Sequence, residues 1–187
     1  MRADPAYTPI TVDEFLAMDF GTDRRFELVD GVIQMMTSGS SAHSRVAGNI
    51  YFFLRLALRG KPCQPFNSDM GVRVGATTVR YPDVTVFCGD PWAFENDEVL
   101  AFDDPKVLFE VLSPNTSTFD QGSKFEEYRR LASLDTVVFV DPVNELTRTF
   151  QRIDEITWRH GTFAKPQDVE LPALGLILPA NQIFARS

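Results

Sequence analysis

The sequence predicts one domain of the mixed α/β class, in which a central mixed β-sheet is flanked by helices. Three observations predict it. The chain has 187 residues, enough for one domain with a sizeable core. Apolar residues make up 44% of it and include 16 Phe, so the composition is not that of a disordered chain. Segments with helical and strand periodicity alternate along it, which favours a plan built on one sheet.

The first elements are a short helix and a hairpin. Thr11 precedes Glu14 by three residues, which fits a capping box at the start of a helix that runs to about Met18. Two apolar runs then flank Asp30 and Gly31. This dipeptide suits a tight hairpin turn, because both central positions of such a turn need positive φ.

A long helix and several strands are predicted next. From Ala42 the apolar residues have helical spacing, and Gly60 is a suitable helix stop. Strands are predicted at about 69–74 and 79–88. An acidic loop is predicted over 89–105.

The second half of the chain predicts a strand, a helix and more strands. The continuous apolar run "TVVFVDP" is typical of a central strand. The predicted elements, in order, are the strand "KVLFEVLS", a helix that begins near residues 117–120, the strand "TVVFVDP", the alternating strands "ELTRTFQR" and "EITWRH", and a last helical turn in "LPANQIFA".

The net charge of −8 bears on possible partners. Surfaces that bind DNA tightly are usually basic, because Lys and Arg replace counterions condensed on the phosphates. The overall charge therefore argues against a tight, non-specific DNA binder, although it leaves room for a local basic patch.

Cysteine content and hydropathy predict a soluble protein in a reducing, cytoplasmic setting. Cys63 and Cys88 do not form a CxxC pair, so neither a disulfide framework nor a structural zinc site is expected. No apolar run approaches the roughly 20 residues that cross a bilayer, and the N-terminus lacks a signal-like apolar core. We therefore expect no membrane partner.

Two carboxylates lie in segments that otherwise predict buried strands. In "YPDVTVF", a period of two places Asp83 on one face with Thr85, and in "VLFEVLS" it places Glu110 with Leu108. An ionised carboxylate is costly to bury without a partner. If the strands are neighbours, one Mg²⁺ explains both acids, because it prefers carboxylate oxygens and keeps several waters. Such an ion also supplies what phosphate-ester hydrolysis needs.

The chain also carries a series of motifs in a recognisable order. They are "RRFELVDGVI", "SAHSRVAGNIYFFL", "VRYPDVTVF", "LFEVLSPNTSTFDQGSKFEEYRRL" and "TVVFVDP". In that order they resemble the restriction endonuclease family labelled Uma-two, within the PD-(D/E)XK nuclease superfamily. The resemblance covers roughly residues 10–184. It implies a single restriction-endonuclease-like domain over 1–187, with its core at about 10–184.

The resemblance also implies an activity and its partners. The expected function is that of a hydrolase, an endodeoxyribonuclease that uses Mg²⁺, or alternatively Mn²⁺, to hydrolyse phosphodiester bonds in DNA. No organic cofactor is expected. A homodimer is expected, because many nucleases of the superfamily use two sites to cut two strands.

The resemblance implies specific site residues as well. Asp83 and Glu110 would hold the metal, with the main-chain carbonyl of Val111 as a further ligand. Glu27 and His43 would support the site.

One position departs from the superfamily motif. The motif places Lys two residues after the Glu, but that position here is Leu112. In the resembled family the lysine comes from the following helix, and the matching residue here is Lys124. The resemblance therefore implies that Lys124 is the third catalytic residue. Asp120, Lys124 and Tyr128 share one helix face by their spacing, and packing is the favoured role of Tyr128. Gln34 and Ser113 are further cleft residues, outside the expected site.

Each candidate also has an ordinary interpretation. Asp83 can bond backbone amides at a strand start, and Lys124 can be a solvated helix residue. Glu27 can be an exposed hairpin residue, and His43 a polar residue at a helix start. The alternative function is accordingly a catalytically inactive relative of the nucleases that serves as a binding or assembly module.

Overall fold

The computed structural model describes residues 8–90, 94, 96, 98–113 and 118–186, with the backbone alone for 118–120. Elements are numbered in chain order within those residues. The helices are α1 (Val12–Leu16), α2 (Ser41–Ala57), α3 (Thr118–Tyr128) and α4 (Ala180–Ile183).

The strands form a five-stranded sheet, a six-stranded sheet and a two-stranded hairpin. The five-stranded sheet has the order β2-β1-β5-β4-β7, and its members are β1 (Phe26–Val29), β2 (Val32–Met35), β4 (Gly71–Gly75), β5 (Thr78–Arg80) and β7 (Ala101–Phe102). The six-stranded sheet has the order β11-β10-β9-β8-β6-β3, and its members are β3 (Cys63–Asn67), β6 (Val84–Cys88), β8 (Pro105–Val111), β9 (Thr136–Asp141), β10 (Leu146–Arg152) and β11 (Trp158–Thr162). The hairpin joins β12 (Val169–Leu171) and β13 (Leu176–Leu178).

The fold is mixed α/β, as predicted, and its large sheets are mixed. Strand β8 runs parallel to β9 and antiparallel to β6, and β4 runs parallel to β7. Helix α2 covers one face of the six-stranded sheet, and α3 covers the other. Alternate residues of β6 and β8 therefore face different helices.

Two local predictions at the N-terminal end are confirmed in detail. The Thr11 hydroxyl accepts a hydrogen bond from the Glu14 amide, and the Glu14 carboxylate accepts one from the Thr11 amide, which completes the capping box. Asp30 and Gly31 join β1 to β2 with φ of 49° and 78°. Helix α2 begins at Ser41, next to the predicted Ala42, and its N-cap is Ser40.

The prediction of a single sheet was wrong. The predicted strand 79–88 is two strands, because the chain leaves the five-stranded sheet at Arg80 and enters the six-stranded sheet at Val84. Pro82 lies in the connection, where its ring fixes φ and removes a donor, so a continuous strand is disfavoured. The sequence also did not predict β3 or the hairpin of β12 and β13. Five residues of the predicted loop 89–105 lie outside the described residues, and the described part is not all loop, because it contains the short strand β7 and the first residue of β8.

The prediction that the two cysteines stay unpaired was also wrong. Cys63 and Cys88 form a disulfide, although 25 residues separate them in sequence. They are directly opposed partners on the antiparallel strands β3 and β6, and spacing alone did not reveal that pairing. No helix among the described residues is long and apolar enough to span a membrane.

Candidate active site

Asp83 lies immediately before β6, where the chain passes from one large sheet to the other. The register between β6 and β8 pairs Val84 with Phe109 and Thr85 with Leu108. Extending this antiparallel register by one residue places Asp83 opposite Glu110. The two strands that carry the candidate carboxylates are thus adjacent, which is the condition under which one metal ion would explain both acids.

Both carboxylate oxygens of Asp83 have protein partners. Oδ2 accepts a hydrogen bond from the main-chain amide of Val111 over 2.7 Å, and Oδ1 lies 3.2 Å from Nε2 of His43. The side chains of Asp83 and His43 are 16% and 19% exposed. The hydrogen bond from the Val111 amide crosses to the neighbouring strand and is not a local cap, so it fixes Asp83 against β8.

Glu110 is nearly buried and is bonded by two residues of α3. Its Oε2 accepts from Nζ of Lys124 at 2.8 Å, and its Oε1 accepts from the hydroxyl of Tyr128 at 2.5 Å. Burial favours the uncharged amine of Lys124, but the adjacent Glu110 carboxylate outweighs it and raises the pKa of Lys124. Burial and the same carboxylate raise the pKa of Tyr128 well above its usual value. Lys124 is therefore a cation and Tyr128 a neutral donor at neutral pH.

His43 reaches the site from the first turn of α2. Its backbone amide donates to the hydroxyl of the N-cap Ser40, which fixes the start of the helix. A Cβ atom on Gly39 would lie 2.5 Å from Nδ1 of His43, so glycine leaves the room that the ring occupies. The hydrogen bond to Asp83 raises the pKa of His43 against the opposing effect of burial, with help from the carbonyl of Val111.

A buried ion-pair cluster lies beside these groups. Nε and Nη2 of Arg80 donate to both oxygens of Glu127, and Nη1 donates to Glu27 over 2.8 Å. The side chain of Arg80 is 8% exposed, and those of its two partners are 17% and 15% exposed. Glu27 belongs to β1, Arg80 to β5 and Glu127 to α3, so the cluster ties the five-stranded sheet to the helix that carries Lys124.

The candidate residues selected from the sequence line one cavity of about 920 Å³. It brings together Glu27, His43, Asp83, Glu110 and Lys124, along with Val111, Leu112 and Ser113. Leu112 occupies the motif position of lysine. Gln34 lies exposed on β2, opposite Glu27 in register. The side chain of Asp120 lies outside the described residues.

The donor set suits a hard divalent cation. Asp83 and Glu110 offer carboxylate oxygens, and the carbonyl of Val111 is close enough to act on His43. Within the described residues, no three His, Cys, Asp or Glu side chains form a metal-binding group. Two carboxylates and a carbonyl fit Mg²⁺, which keeps several waters and needs few protein ligands.

The structure thus brings together Asp83, Glu110, Lys124 and His43, all selected from the sequence, and places Glu27 in the same cavity, bonded to Arg80. Sequence reasoning missed Arg80 and Glu127, and for Tyr128 it favoured packing over a supporting role. Tyr128 is fully buried and packed, but it also donates to Glu110. The signal for Arg80 was present, since a cation inside the apolar run "TVRY" needs a buried anion.

Comparisons with known proteins agree with this architecture. The chain is 26% identical over 180 residues to the "Uncharacterized protein slr1290" of Synechocystis sp., covering 95% of this chain and 93% of that protein. It is 26% identical over 150 residues to "Uncharacterized protein sll1609" of the same organism, covering 80% and 84%.

A solved structure shows the same fold. The crystal structure of "a putative nuclease belonging to DUF820" from Anabaena variabilis matches with a TM-score of 0.74 and 20% identity, covering 95% of this chain and 98% of that one. The family profile Uma2, described as "Putative restriction endonuclease", matches residues 12–181. That match spans nearly the whole domain, including every candidate site residue, and the chain belongs to the Uma2 family.

Proposed function

We propose that this nuclease is an endonuclease that hydrolyses phosphodiester bonds of DNA and depends on a divalent metal ion. The observation that carries the proposal is the pairing of Asp83 and Glu110 on adjacent strands, with Lys124 bonded to Glu110. Membership of the family supports a nuclease, and the chemistry of these three side chains supports the finer statement.

Asp83, Glu110 and the carbonyl of Val111 would hold the ion, Mg²⁺ or alternatively Mn²⁺. When bound, such an ion offsets charge on the scissile phosphate and lowers the pKa of a water molecule. The protein itself orients the carboxylate oxygens at the site. The Val111 amide does this for Asp83, and Lys124 and Tyr128 do it for Glu110.

The two cations of the site would act on the phosphate. Because its pKa is raised, Lys124 stays protonated and serves as an electrostatic partner of the phosphate oxygens, not as a general base. Protonated His43 would be the proton donor. In hydrolysis the water oxygen bonds to phosphorus and loses a proton to the solvent, one ester P–O bond breaks, and the departing oxygen takes a proton, which His43 can give.

Cleavage of supercoiled plasmid with Mg²⁺ or Mn²⁺ tests the proposal. We expect the wild type to nick or linearise the plasmid, and Asp83→Ala and Lys124→Ala to lose at least about 100-fold in rate. The matched controls are Asp103→Ala and Lys165→Ala, which remove the same charges at exposed positions. Equal rates for the site variants and the controls would refute the proposed site.

The second candidate function is a binding or assembly module without catalysis. Leu112 at the motif position of lysine favours it. Calorimetry with Mg²⁺ or Mn²⁺ separates the two candidates, because a catalytic site should bind metal, and Glu110→Gln should weaken that binding. A wild type without metal affinity would favour the module.

A homodimer would suit cleavage of a duplex. One chain contributes one set of Asp83, Glu110 and Lys124, and two strands require two such sets. Light scattering after size-exclusion chromatography, with and without a DNA duplex, tests this. A single chain in both conditions would limit the activity to one strand per binding event.

A further inference from the structure

The charges of the chain are strongly segregated. Residues 31–68 contain no Asp or Glu, so all 26 acidic residues lie elsewhere. The same segment contains Arg45, Arg55, Arg59 and Lys61. A protein with a net charge of −8 therefore has a cationic segment, and that segment includes α2, the helix that brings His43 to the active site.

The outer face of α2 is a continuous exposed stripe. Its buried face carries Val46, Ile50 and Leu54. The exposed residues recur every three or four positions, which is the spacing of one helix face; they are Ser41, Ser44, Gly48, Phe52, Arg55 and Leu56, and Arg59 extends the series beyond the helix. We call these residues, with Lys61, the α2 stripe.

The far end of the α2 stripe borders a second cavity, of about 480 Å³. Arg55, Arg59 and Lys61 line it, together with Phe52, and its described lining includes no acidic residue. Among the ion pairs of the described residues, none involves these three cations. Three unpaired cations around an aromatic ring that is 64% exposed form a surface suited to a polyanion.

The distance from the active site matches a nucleic-acid partner. Arg55 lies twelve residues after His43, which is about 18 Å along an α-helix. A DNA duplex rises about 3.4 Å per base pair, so this length corresponds to roughly five base pairs. Arg55 is also turned about 120° around the helix axis from His43, so a duplex held at the active site would cross the outer side of the first turn of α2 and reach the cations with its backbone.

We propose that the α2 stripe is a binding track for the phosphate backbone of DNA that extends from the active site; this inference rests on the proposed function. A second copy of the chain fits the stripe less well. A two-fold interface pairs the same patch on both copies, so the cations would face cations. Phosphates offset the three charges, and the apolar rings and chains of Phe52 and Leu56 can contact sugars.

Fluorescence anisotropy in EDTA, with labelled duplexes of 8 and 25 base pairs, tests the inference without cleavage. The double variant Arg55→Gln/Arg59→Gln should bind the long duplex at least about 10-fold more weakly than the wild type. The slope of log affinity against log salt should fall by about 2, one for each lost phosphate contact. Affinity for the short duplex should change less, because it cannot occupy the site and the stripe together.

The matched control is Arg159→Gln/Lys165→Gln, which removes two exposed positive charges, one on the edge strand β11 and one in the segment that follows it. It should bind like the wild type, and both variants should melt at the wild-type temperature. Equal losses in the two double variants would overturn the inference. So would a loss that accompanies conversion of a dimer to a monomer, since the stripe would then be an interface between copies.

Failure of the inference differs from failure of the proposed function. If the wild type cleaves plasmid and the stripe variant binds and cleaves equally well, the inference falls while the nuclease proposal stands. If the wild type neither binds DNA nor cleaves it, the proposed function falls, and the inference falls with it.

Discussion

The hydroxyl of Tyr128 donates a hydrogen bond to Oε1 of Glu110 over 2.5 Å, inside the core between α3 and the six-stranded sheet. A residue that fills the core also holds a candidate metal ligand. Packing of α3 and the orientation of the carboxylate are therefore coupled in this protein.

Tyr128→Phe should separate these two roles. The ring volume is kept, but a buried charged acceptor loses a donor, so the free energy of unfolding should fall by about 1.5–3 kcal/mol. The plasmid cleavage rate should fall as well, because Glu110 is then oriented by Lys124 alone. Chemical denaturation and cleavage assays measure both effects. The same change at Tyr51, on α2, should alter neither, and an unchanged rate in Tyr128→Phe would limit Tyr128 to packing.

A lysine placed at the motif position should replace Lys124. Leu112 lines the same cavity, two residues after Glu110. In a Lys124→Ala background, Leu112→Lys should raise the cleavage rate roughly tenfold or more, because an ammonium group again lies beside Glu110. Leu112→Met in that background is the control for shape. If the lysine gives no more activity than the methionine, the charge of Lys124 is not what cleavage requires.

Gly39→Ala should disturb the site without touching its chemistry. A methyl group there would lie 2.5 Å from Nδ1 of His43, so the ring must shift or rotate, which disturbs its hydrogen bond to Asp83. We expect slower cleavage and a lower pKa of His43. NMR titration in EDTA measures that pKa. Gly122→Ala is the matched control, since an added Cβ there would meet nothing within 4 Å on α3. It should leave the rate unchanged and stabilise the helix by up to about 1 kcal/mol.

Arg80→Met should be strongly destabilising. It leaves Glu27 and Glu127 as mostly buried charges without their partner, which costs about 3–5 kcal/mol. Adding Glu27→Gln and Glu127→Gln should restore most of that loss, because the buried charges are then removed. Arg73→Met is the control, because its partner Asp13 is 84% exposed and such pairs contribute little. Urea denaturation would contradict this view if Arg80→Met cost no more than Arg73→Met.

The pairing of His43 with Asp83 should make stability depend on pH. The pKa of His43 in the folded protein is raised above its ordinary value of 6.5. Its contribution is therefore fully present below about 6.5 and is lost as pH rises through the folded pKa. Denaturation in EDTA should show wild type and His43→Gln differing most in acid and least in alkali. Asp83→Asn should remove the same dependence, and a difference that grows with pH would refute the pairing.

Much of the fold was predictable because its signals are local. The capping box of Thr11 and the turn at Asp30 depend on neighbouring residues, and the extent of α2 depends on apolar spacing. The strand partners were not predictable in this way. Periodicity identifies β3 or β5 as extended at best, but not the sheet it joins, and this is why one sheet was expected and the pairing of Cys63 with Cys88 was missed.

The residues of the candidate site also fall into those that local sequence signals predict and those that they do not. Asp83 and Glu110 stood out because a carboxylate in an apolar strand needs a reason, and motif order indicated Lys124. Arg80 and Glu127 form their cluster only after β5 and α3 meet, 47 residues apart in sequence. Their pairing depends on tertiary contact, which composition and spacing do not encode.

The three residues between Arg80 and Val84 form one of the short covalent links between the two large sheets, and Asp83 is the last of them. A rotation of one sheet against the other would strain this link and the ion pairs that the Arg80 guanidinium makes beside it. A ligand or substitution that loosens the packing of α1, on the outer surface of the five-stranded sheet, would therefore displace the carboxylate of Asp83. Thermal stability and cleavage rate would then decline together, even for changes far from the scissile bond.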